Sequence, residues 1–231
     1  MTNQEVFDLV KYILNEEESG NALSPEEFNI LLNASSWELT RQIFRVYEEG
    51  QEVTDAIQRF KSDTALTFVS GEADLPANYY RKSYMTADGI WVEFCDDYEF
   101  GYRQTRQLTK PDHKYPIARI KSNSIEINPA DITSATLYYL RHPNEPFYDY
   151  YYDSNGRIVF MPENKVLDVD EEYRDGTEGD GETEIESNNV DLDWNTNEIL
   201  IAVSMICSKA GINLKEGQVI EYSELMKQQK S

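Results

Sequence analysis

The hydrophobic positions change their period twice along the chain, and the first stretch has the period of a helix. Apolar side chains recur there every three or four residues, the spacing of a helix that faces a core. The first such set is Val6, Leu9, Val10, Ile13 and Leu14. Ser24 and Glu27 have the spacing of a capping box, and Ser35 and Glu38 repeat it, which predicts two helix starts. Residues 1–62 are therefore predicted to form N-terminal helices.

From about residue 63 the apolar positions alternate with period two, which predicts β-strands. Residues 90–95 alternate in this way directly after a turn at Asp88-Gly89. Residues 136–141 form another such run before a proline-rich break. Turn signals between these runs divide residues 63–161 into six to eight strands of a predicted β domain.

After residue 194 the pattern returns to that of helices. Asn195 and Glu198 have capping-box spacing, and the run from Ile199 to Cys207 is apolar almost all round, which predicts a buried helix. Gly211 is a plausible helix stop. We expect these C-terminal helices, residues 194–231, to pack on the N-terminal ones. The predicted fold class is α+β, a helical bundle of N- and C-terminal helices with an inserted antiparallel β domain. Three independent pieces are the alternative.

The charge of the chain is concentrated in one segment. The 231 residues include 43 Asp and Glu against 21 Lys and Arg, a formal charge of −22. Residues 163–193 contain thirteen of the acids and only Lys165 and Arg174 as cations, so half of the net charge lies there. Repulsion between like charges, with few apolar groups to offset it, predicts a mobile or extended acidic loop at about 168–190, within a predicted loop region 162–193.

This charge and the absence of catalytic motifs exclude several functions. A strongly negative global field repels the phosphates of free nucleic acid and an anionic membrane surface. No stretch approaches about 18 apolar residues, so no membrane span is expected. His113 and His142 have no Cys or His at metal-ligand spacing, and no nucleophile–base or phosphate-binding motif is present. We therefore expect no enzyme, no catalytic residue, no cofactor and no metal. Cys95 and Cys207 are expected to be free, buried thiols.

Tyrosine-rich strands supply the candidate interface residues. Consecutive residues of a strand point to opposite faces, so one face of each stretch is predicted to be core and the other exposed or interfacial. Tyrosine and tryptophan are enriched at protein interfaces, although ordinary strand aromatics are an equally good interpretation. The candidates are Trp37, Tyr138, Tyr139, Tyr148, Tyr150, Tyr151 and Tyr152.

Several short motifs give the chain a resemblance to a family of virion proteins. They are Ser24-Pro-Glu-Glu-Phe28 after a glycine-containing break, Leu75-Pro76, Tyr115-Pro-Ile117-Ala-Arg-Ile120, Ile125-Glu-Ile-Asn-Pro129, Leu137-Tyr-Tyr-Leu-Arg-His-Pro143 and Pro146. Together they look like proteins of crAss-like phages, and the order of elements resembles the head-to-tail connector, or ring adaptor, proteins of short-tailed phages. The resemblance covers roughly residues 5–225, but the acidic insert at 168–190 is not part of it.

The resemblance implies a structural role in the virion. It implies a homo-oligomeric ring beneath the portal, usually twelvefold, that contacts the portal protein and other tail or ring proteins. It implies a location at the head–tail junction or in the tail, after assembly in the host cytoplasm, with DNA passing through and not bound specifically. No catalytic residue comes with the family.

The role of the acidic loop follows from physics alone. Its carboxylates could line a DNA channel, where they would keep phosphates from sticking, or dock on a basic patch of a neighbour. The candidate residues are Asp170, Glu171, Glu172, Asp175, Glu178, Asp180, Glu182 and Glu184. A tail-completion or decoration protein, and a calcium- or carbohydrate-binding β module, are the alternative functions.

Overall fold

The structure, a computed structural model, divides into two compact units. The first, here called the barrel unit, is Ile57–His142, and the second, the terminal unit, combines Met1–Ala56 with Pro143–Ser231. The residues described are 1–16, 23–45, 57–211, 218–219 and 221–223. Gly50, where the sequence also predicts a helix stop, and most of the predicted C-terminal helical stretch after Gly211 lie outside them.

Seven strands form the sheet of the barrel unit. They are β1 (Lys61–Thr67), β2 (Glu72–Asp74), β3 (Tyr79–Ala87), β4 (Ile90–Phe94), β5 (Ile117–Ile120), β6 (Ser124–Asn128) and β7 (Ser134–Arg141). A single 3-10 turn at Gln58–Phe60 precedes β1. Their order in the sheet is β1-β7-β3-β4-β5-β6-β2. A tight turn at Ser70-Gly71 joins the two end strands, β1 and β2, and the sheet is barrel-like and nearly closed.

Two connections set the directions of the central strands. Asp88 and Gly89 both have positive φ, the conformation of a type I′ hairpin turn, and join β3 to β4 as the sequence predicts. By contrast β4 and β5 are parallel, and parallel neighbours need a crossover connection. Helix α3 (Asp97–Thr105) lies in that crossover, and its N-cap is Asp96, whose carboxylate accepts the Glu99 N–H at 2.7 Å.

The barrel unit is filled by apolar side chains from alternate strand positions. Met85, Val92 and Leu137 are fully buried and come from neighbouring strands. Burying each such side chain contributes roughly 1.5–3 kcal/mol. The core cluster consists of Leu66, Phe68, Ala73, Met85, Ala87, Val92, Ala118, Ile125, Ile127, Ile132, Ala135, Leu137 and Tyr139.

The terminal unit contains three described helices and two small sheets. The helices are α1 (Asn3–Glu16), α2 (Pro25–Arg45) and α4 (Thr196–Lys209), and α4 packs on both others. The strands are β8 (Tyr150–Tyr152), β9 (Ile158–Phe160), β10 (Lys165–Val166), β11 (Glu172–Tyr173) and β12 (Glu184–Ile185). They pair in the orders β11-β8-β9 and β10-β12.

Most of the helix ends lie where the sequence predicts them, but one predicted helix start is wrong. The first capping box is confirmed, because the Glu27 N–H donates to Ser24 Oγ and the Ser24 N–H donates to Glu27 Oε2. The second predicted start, at Ser35, is wrong: α2 runs through it, and Ser35 is buried inside the helix packing. Helix α4 begins after Asn195 as predicted, although that side chain makes no capping hydrogen bond. It ends before Gly211, whose φ is +98°.

The predicted fold class is wrong. The described chain is mostly β, built on a seven-stranded, nearly closed, barrel-like sheet, and is not a helical bundle with an inserted antiparallel β domain. The parallel β4–β5 pair also departs from the antiparallel prediction, because α3 was not foreseen. Strands β8 and β9 lie within the predicted β domain 63–161, whereas β10, β11 and β12 have two residues each, too few for period-two alternation to be visible in the sequence.

Candidate interaction surfaces

The predicted interface aromatics are distributed between cores and surfaces. Tyr139 is buried in the barrel unit, and its hydroxyl donates to Asn78 Oδ1 at 2.9 Å. Three more are buried in the terminal unit, namely Tyr148, Tyr150 and Tyr151. The contact area of these four tyrosines lies inside their own units. The partly exposed members are Trp37, Tyr138 and Tyr152.

Tyr148 shows why this tyrosine run is buried. Its backbone N–H donates to Asn29 Oδ1 at 2.7 Å, and Asn29 Nδ2 returns a bond to its carbonyl at 3.0 Å. Its ring lies 4.6 Å from that of Phe7. Burial, with the Asp8 carboxylate adding to it, raises the pKa of the Tyr148 hydroxyl. The Asn29 side chain of α2 thus holds the main chain of the tyrosine run at Tyr148.

An aromatic stack covers part of the outside of the barrel unit. The rings of Tyr84 and Tyr138 stack at 4.2 Å, and those of Tyr84 and Trp91 at 5.2 Å, with nearly parallel planes. Tyr84 and Tyr138 are cross-strand partners, and Trp91 is 63% exposed. Of the predicted candidates, only Tyr138 belongs to this stack.

The acidic segment, residues 163–193, is folded back on itself where the sequence predicts a mobile or extended loop. It contains β10, β11 and β12. The Gly179 N–H donates to the Glu171 carbonyl at 2.8 Å, and the Gly181 N–H donates to the Leu167 carbonyl at 2.9 Å. Main-chain bonds of this kind do not depend on side-chain type, so a count of charges does not reveal them.

Asp149, which is fully buried, anchors this segment to the strand region before it. Its carboxylate accepts hydrogen bonds from Arg174 Nε at 2.8 Å and from the Tyr173 hydroxyl at 2.8 Å. It also accepts the Asn188 N–H at 2.7 Å and the Tyr150 N–H at 3.1 Å. A buried carboxylate is tolerated only with such donors, and four are present.

A second ion pair uses the other cation of the segment. Lys165 Nζ donates to Glu171 Oε2 at 2.6 Å, and the same oxygen accepts the Asp168 N–H at 3.0 Å. Burial alone would raise the pKa of the Glu171 carboxyl, but these donors hold it below its usual value. Both cations of the acidic segment are therefore occupied in holding its fold.

The remaining candidate carboxylates face solvent. None of them forms an ion pair with a described residue, and all are exposed: Asp170, Glu172, Asp175, Glu178, Asp180, Glu182 and Glu184. Asp180 is held within its own turn, where the Thr183 hydroxyl and the Thr183 and Glu182 N–H groups lower its pKa to about 2. Seven of the eight predicted acidic residues are thus exposed on the folded acidic segment, whereas the Glu171 side chain is only 12% exposed.

A basic and aromatic loop is the surface that sequence reasoning missed. Residues 102–121 contain six of the 21 Lys and Arg residues and only one acid, Asp112. The sequence does contain a signal for this surface, because the net charge of residues 102–121 is positive while that of the whole chain is negative. We call the exposed connection from α3 to β5, residues 106–116, the basic loop.

One group of side chains in the described residues has metal-ligand chemistry. One ligand atom from each of Glu93, Cys95 and Glu99 lies within 4.8 Å of the others. Arg103 already donates to both carboxylates, at 2.6 Å to Glu93 and 2.5 Å to Glu99, and these bonds raise the pKa of its guanidinium. The guanidinium therefore supplies the positive charge that a cation would bring. Cys95 and Cys207 are free and buried, as predicted.

Comparison with models of known protein families gives no match, and comparison with curated protein sequences gives none either. Among the described residues, none of the helices is both long enough and apolar enough to cross a membrane. The site therefore has to be interpreted from its own charges and contacts.

Proposed function

We propose that this protein is a structural component of a phage virion, a head-to-tail connector ring beneath the portal that links capsid to tail and lines the DNA channel. The observation that carries the proposal is the exposed surface of seven carboxylates on the acidic segment. This surface is held by two ion pairs and by main-chain hydrogen bonds, so that its charge has a fixed place on the terminal unit.

A fixed acidic surface suits a channel through which DNA moves. Phosphates are repelled by it at distances up to about a Debye length, roughly 8 Å at physiological salt. The backbone of DNA would therefore pass without being held. The overall charge of −22 acts in the same direction.

Exposed aromatic side chains suit a protein that contacts several neighbours. Trp91 in the aromatic stack and Tyr98 on α3 present large apolar area to solvent. Aromatic residues supply much of the binding energy at protein interfaces. A ring component needs such contacts both to its own copies and to adjacent layers.

The test is the mass of the purified protein with and without assembled portal protein, measured by native mass spectrometry. We expect the portal to acquire a fixed number of copies, about twelve for a ring that matches it. A chain that stays monomeric and never joins the portal would contradict the proposal. A monomer in the absence of the portal agrees with it, since a ring can require its template.

A further inference from the structure

The basic loop contains cations that its own unit leaves without carboxylate partners. Arg119 and Lys121 are paired with acids of the barrel unit, as is Arg103. By contrast, no ion pair to a described residue is formed by Arg106, Lys110 or Lys114. All three side chains are exposed. A local positive surface therefore stands on a chain of strongly negative charge.

Apolar side chains lie directly beside these cations. Leu108 is 100% exposed, and Tyr115 is 68% exposed. The Arg106 guanidinium lies 4.6 Å from the centre of the Tyr102 ring, and Lys114 Nζ lies 5.7 Å from that of Tyr115. A groove of about 470 Å³ is lined by Tyr102, Arg103, Leu108, Lys110 and Tyr115, together with Glu93 and Glu99. Exposed apolar groups rimmed by charges indicate a contact surface for another macromolecule.

The charges favour a protein partner over a nucleic acid. Arginine, lysine and exposed tyrosine would also suit single-stranded DNA. However, a nucleic acid bound at the loop would extend past it along a chain of net charge −22, whereas a protein surface can pair a few carboxylates with the three cations alone. A carboxylate-rich protein surface attracts the cations of the loop as DNA phosphates do. This chain itself provides such a surface in the acidic segment.

We propose that the basic loop of one copy docks on part of the acidic segment of a neighbouring copy, at Asp170, Glu178 and Glu182, so that the other exposed carboxylates of that segment remain available to line the channel. Because the two surfaces are different, the contact is heterologous, and each copy has one surface of each kind to offer. Heterologous contacts generate rings when the rotation between copies closes. The inference rests on the proposed connector function, since it assigns the lateral contact between neighbours in that ring.

The experiment uses the full chain with the portal and three sets of charge reversals. The basic-loop variant combines Arg106→Glu, Lys110→Glu and Lys114→Glu. The acidic-segment variant combines Asp170→Lys, Glu178→Lys and Glu182→Lys. The control variant reverses three exposed cations elsewhere, Arg41→Glu, Lys61→Glu and Arg157→Glu, none of which forms an ion pair with a described residue. Urea unfolding checks that each variant is folded.

Each of the two surface variants alone should lose neighbour contacts, with an apparent dissociation constant for ring completion raised about 10-fold or more. An equimolar mixture of the two should regain rings of alternating variants. The unaltered acidic segment meets an unaltered basic loop at one contact, and the reversed loop meets the reversed residues of the segment at the next. The control should complete rings as the unaltered chain does. Recovery in the mixture is an effect that general loss of stability would not produce.

The outcomes separate the inference from the function beneath it. If the unaltered chain never joins the portal, the connector function fails and the inference with it. If both surface variants form complete rings, or if the mixture does not recover, the inference fails while the function stands. A DNA oligonucleotide that binds the unaltered chain but not the basic-loop variant, with rings unaffected, would make the loop a nucleic-acid site and overturn the inference.

Discussion

At the scale of single residues, Asp149 decides where the acidic segment lies. Its two carboxylate oxygens accept four hydrogen bonds, three of them from Tyr173, Arg174 and Asn188 within the segment. Neither the tyrosine run that contains Asp149 nor the acidic segment shows in its sequence pattern that the two are joined by these bonds. A charge that is buried with four donors is favourable only while all of them are in place.

Replacing this carboxylate by an amide should destabilise the terminal unit. Asp149→Asn keeps one acceptor oxygen but places an NH₂ group against the Asn188 N–H, and it leaves Arg174 without its counter-charge. We expect the free energy of unfolding to fall by about 2–4 kcal/mol. Urea denaturation measures it, and Asp170→Asn on the exposed surface is the matched control. Equal free energies of unfolding for the two variants would show that the Asp149 carboxylate does not stabilise the terminal unit.

Asp180 should give the acidic segment a recognisable pH dependence. The hydroxyl of Thr183 and two N–H groups lower its pKa from 3.8 to about 2. A lowered pKa in the folded state stabilises the fold above pH 3.8, and this contribution is lost as the pH falls towards 2. Unfolding free energies of the unaltered chain and of Asp180→Asn should therefore converge between pH 4 and pH 2 and differ by a constant amount above pH 4.

The same effect should appear in part when only the hydroxyl is removed. Thr183→Val deletes the first of these donors and keeps the N–H groups. Its stability should show a weaker form of the same pH dependence, measured by urea unfolding across the same pH range. A difference between Asp180→Asn and the unaltered chain that is constant from pH 7 to pH 2 would rule out the turn as a stabilising element.

At the scale of elements, the fold of the acidic segment depends on a close main-chain contact at Gly179. A Cβ built on Gly179 would lie 2.1 Å from the Asp168 carbonyl oxygen and 2.6 Å from the Leu167 carbonyl oxygen. Main-chain atoms cannot move aside as a flexible side chain can. The close approach of the main chain at Gly179 to that at Leu167 and Asp168 therefore requires glycine at this position.

Gly179→Ala should open this closure. We expect a loss of about 2–4 kcal/mol in the free energy of unfolding, together with faster amide hydrogen exchange in residues 167–181. Gly101→Ala is the matched control, because its Cβ would meet nothing within 4 Å inside α3. That variant should gain about 0.5–1 kcal/mol. Comparable losses in both variants would contradict the close packing of the segment.

The sequence predicts elements best where the pattern is long. The 14-residue α1 and the hairpin at Asp88-Gly89 have strong signals, and both are found. Helix α3 was missed because its nine residues include Gly101 and few apolar positions. Without it the parallel β4–β5 pair could not be foreseen. The fold class was wrong because the strands build a nearly closed, barrel-like sheet and are not an insertion in a helical bundle.

Of the candidate surfaces, the sequence predicts the parts that depend on neighbouring residues and misses those that depend on distant ones. Charge counting located the acidic segment, since that property is local in sequence. It could not find Asp149, which lies in a tyrosine run some 25 residues before its partner Arg174. The basic loop was detectable by the same counting, but its charge was hidden within the total of −22.

At the scale of the whole molecule, the acidic and the basic surface belong to different units. The acidic segment belongs to the terminal unit, and the basic loop belongs to the barrel unit. The combination is suited to an assembly in which copies contact one another head to tail. The net charge still opposes general nucleic-acid binding.

The net negative charge predicts that the protein does not bind duplex DNA. Electrophoretic mobility shift with duplex DNA at physiological salt should give no complex, because the phosphates meet a net negative surface. Lowering the salt should not create one, since weaker screening strengthens the repulsion. A complex that forms at low salt and dissolves at high salt would instead assign the basic loop to nucleic acid.

The central claim, a connector ring, is tested most directly by the number of copies in purified virions, counted by quantitative mass spectrometry against the portal protein. A ring that matches the portal predicts a ratio of about one to one, or about twelve copies per particle. Hundreds of copies would identify a decoration protein of the capsid, and absence from the particle would contradict a structural role in the virion altogether.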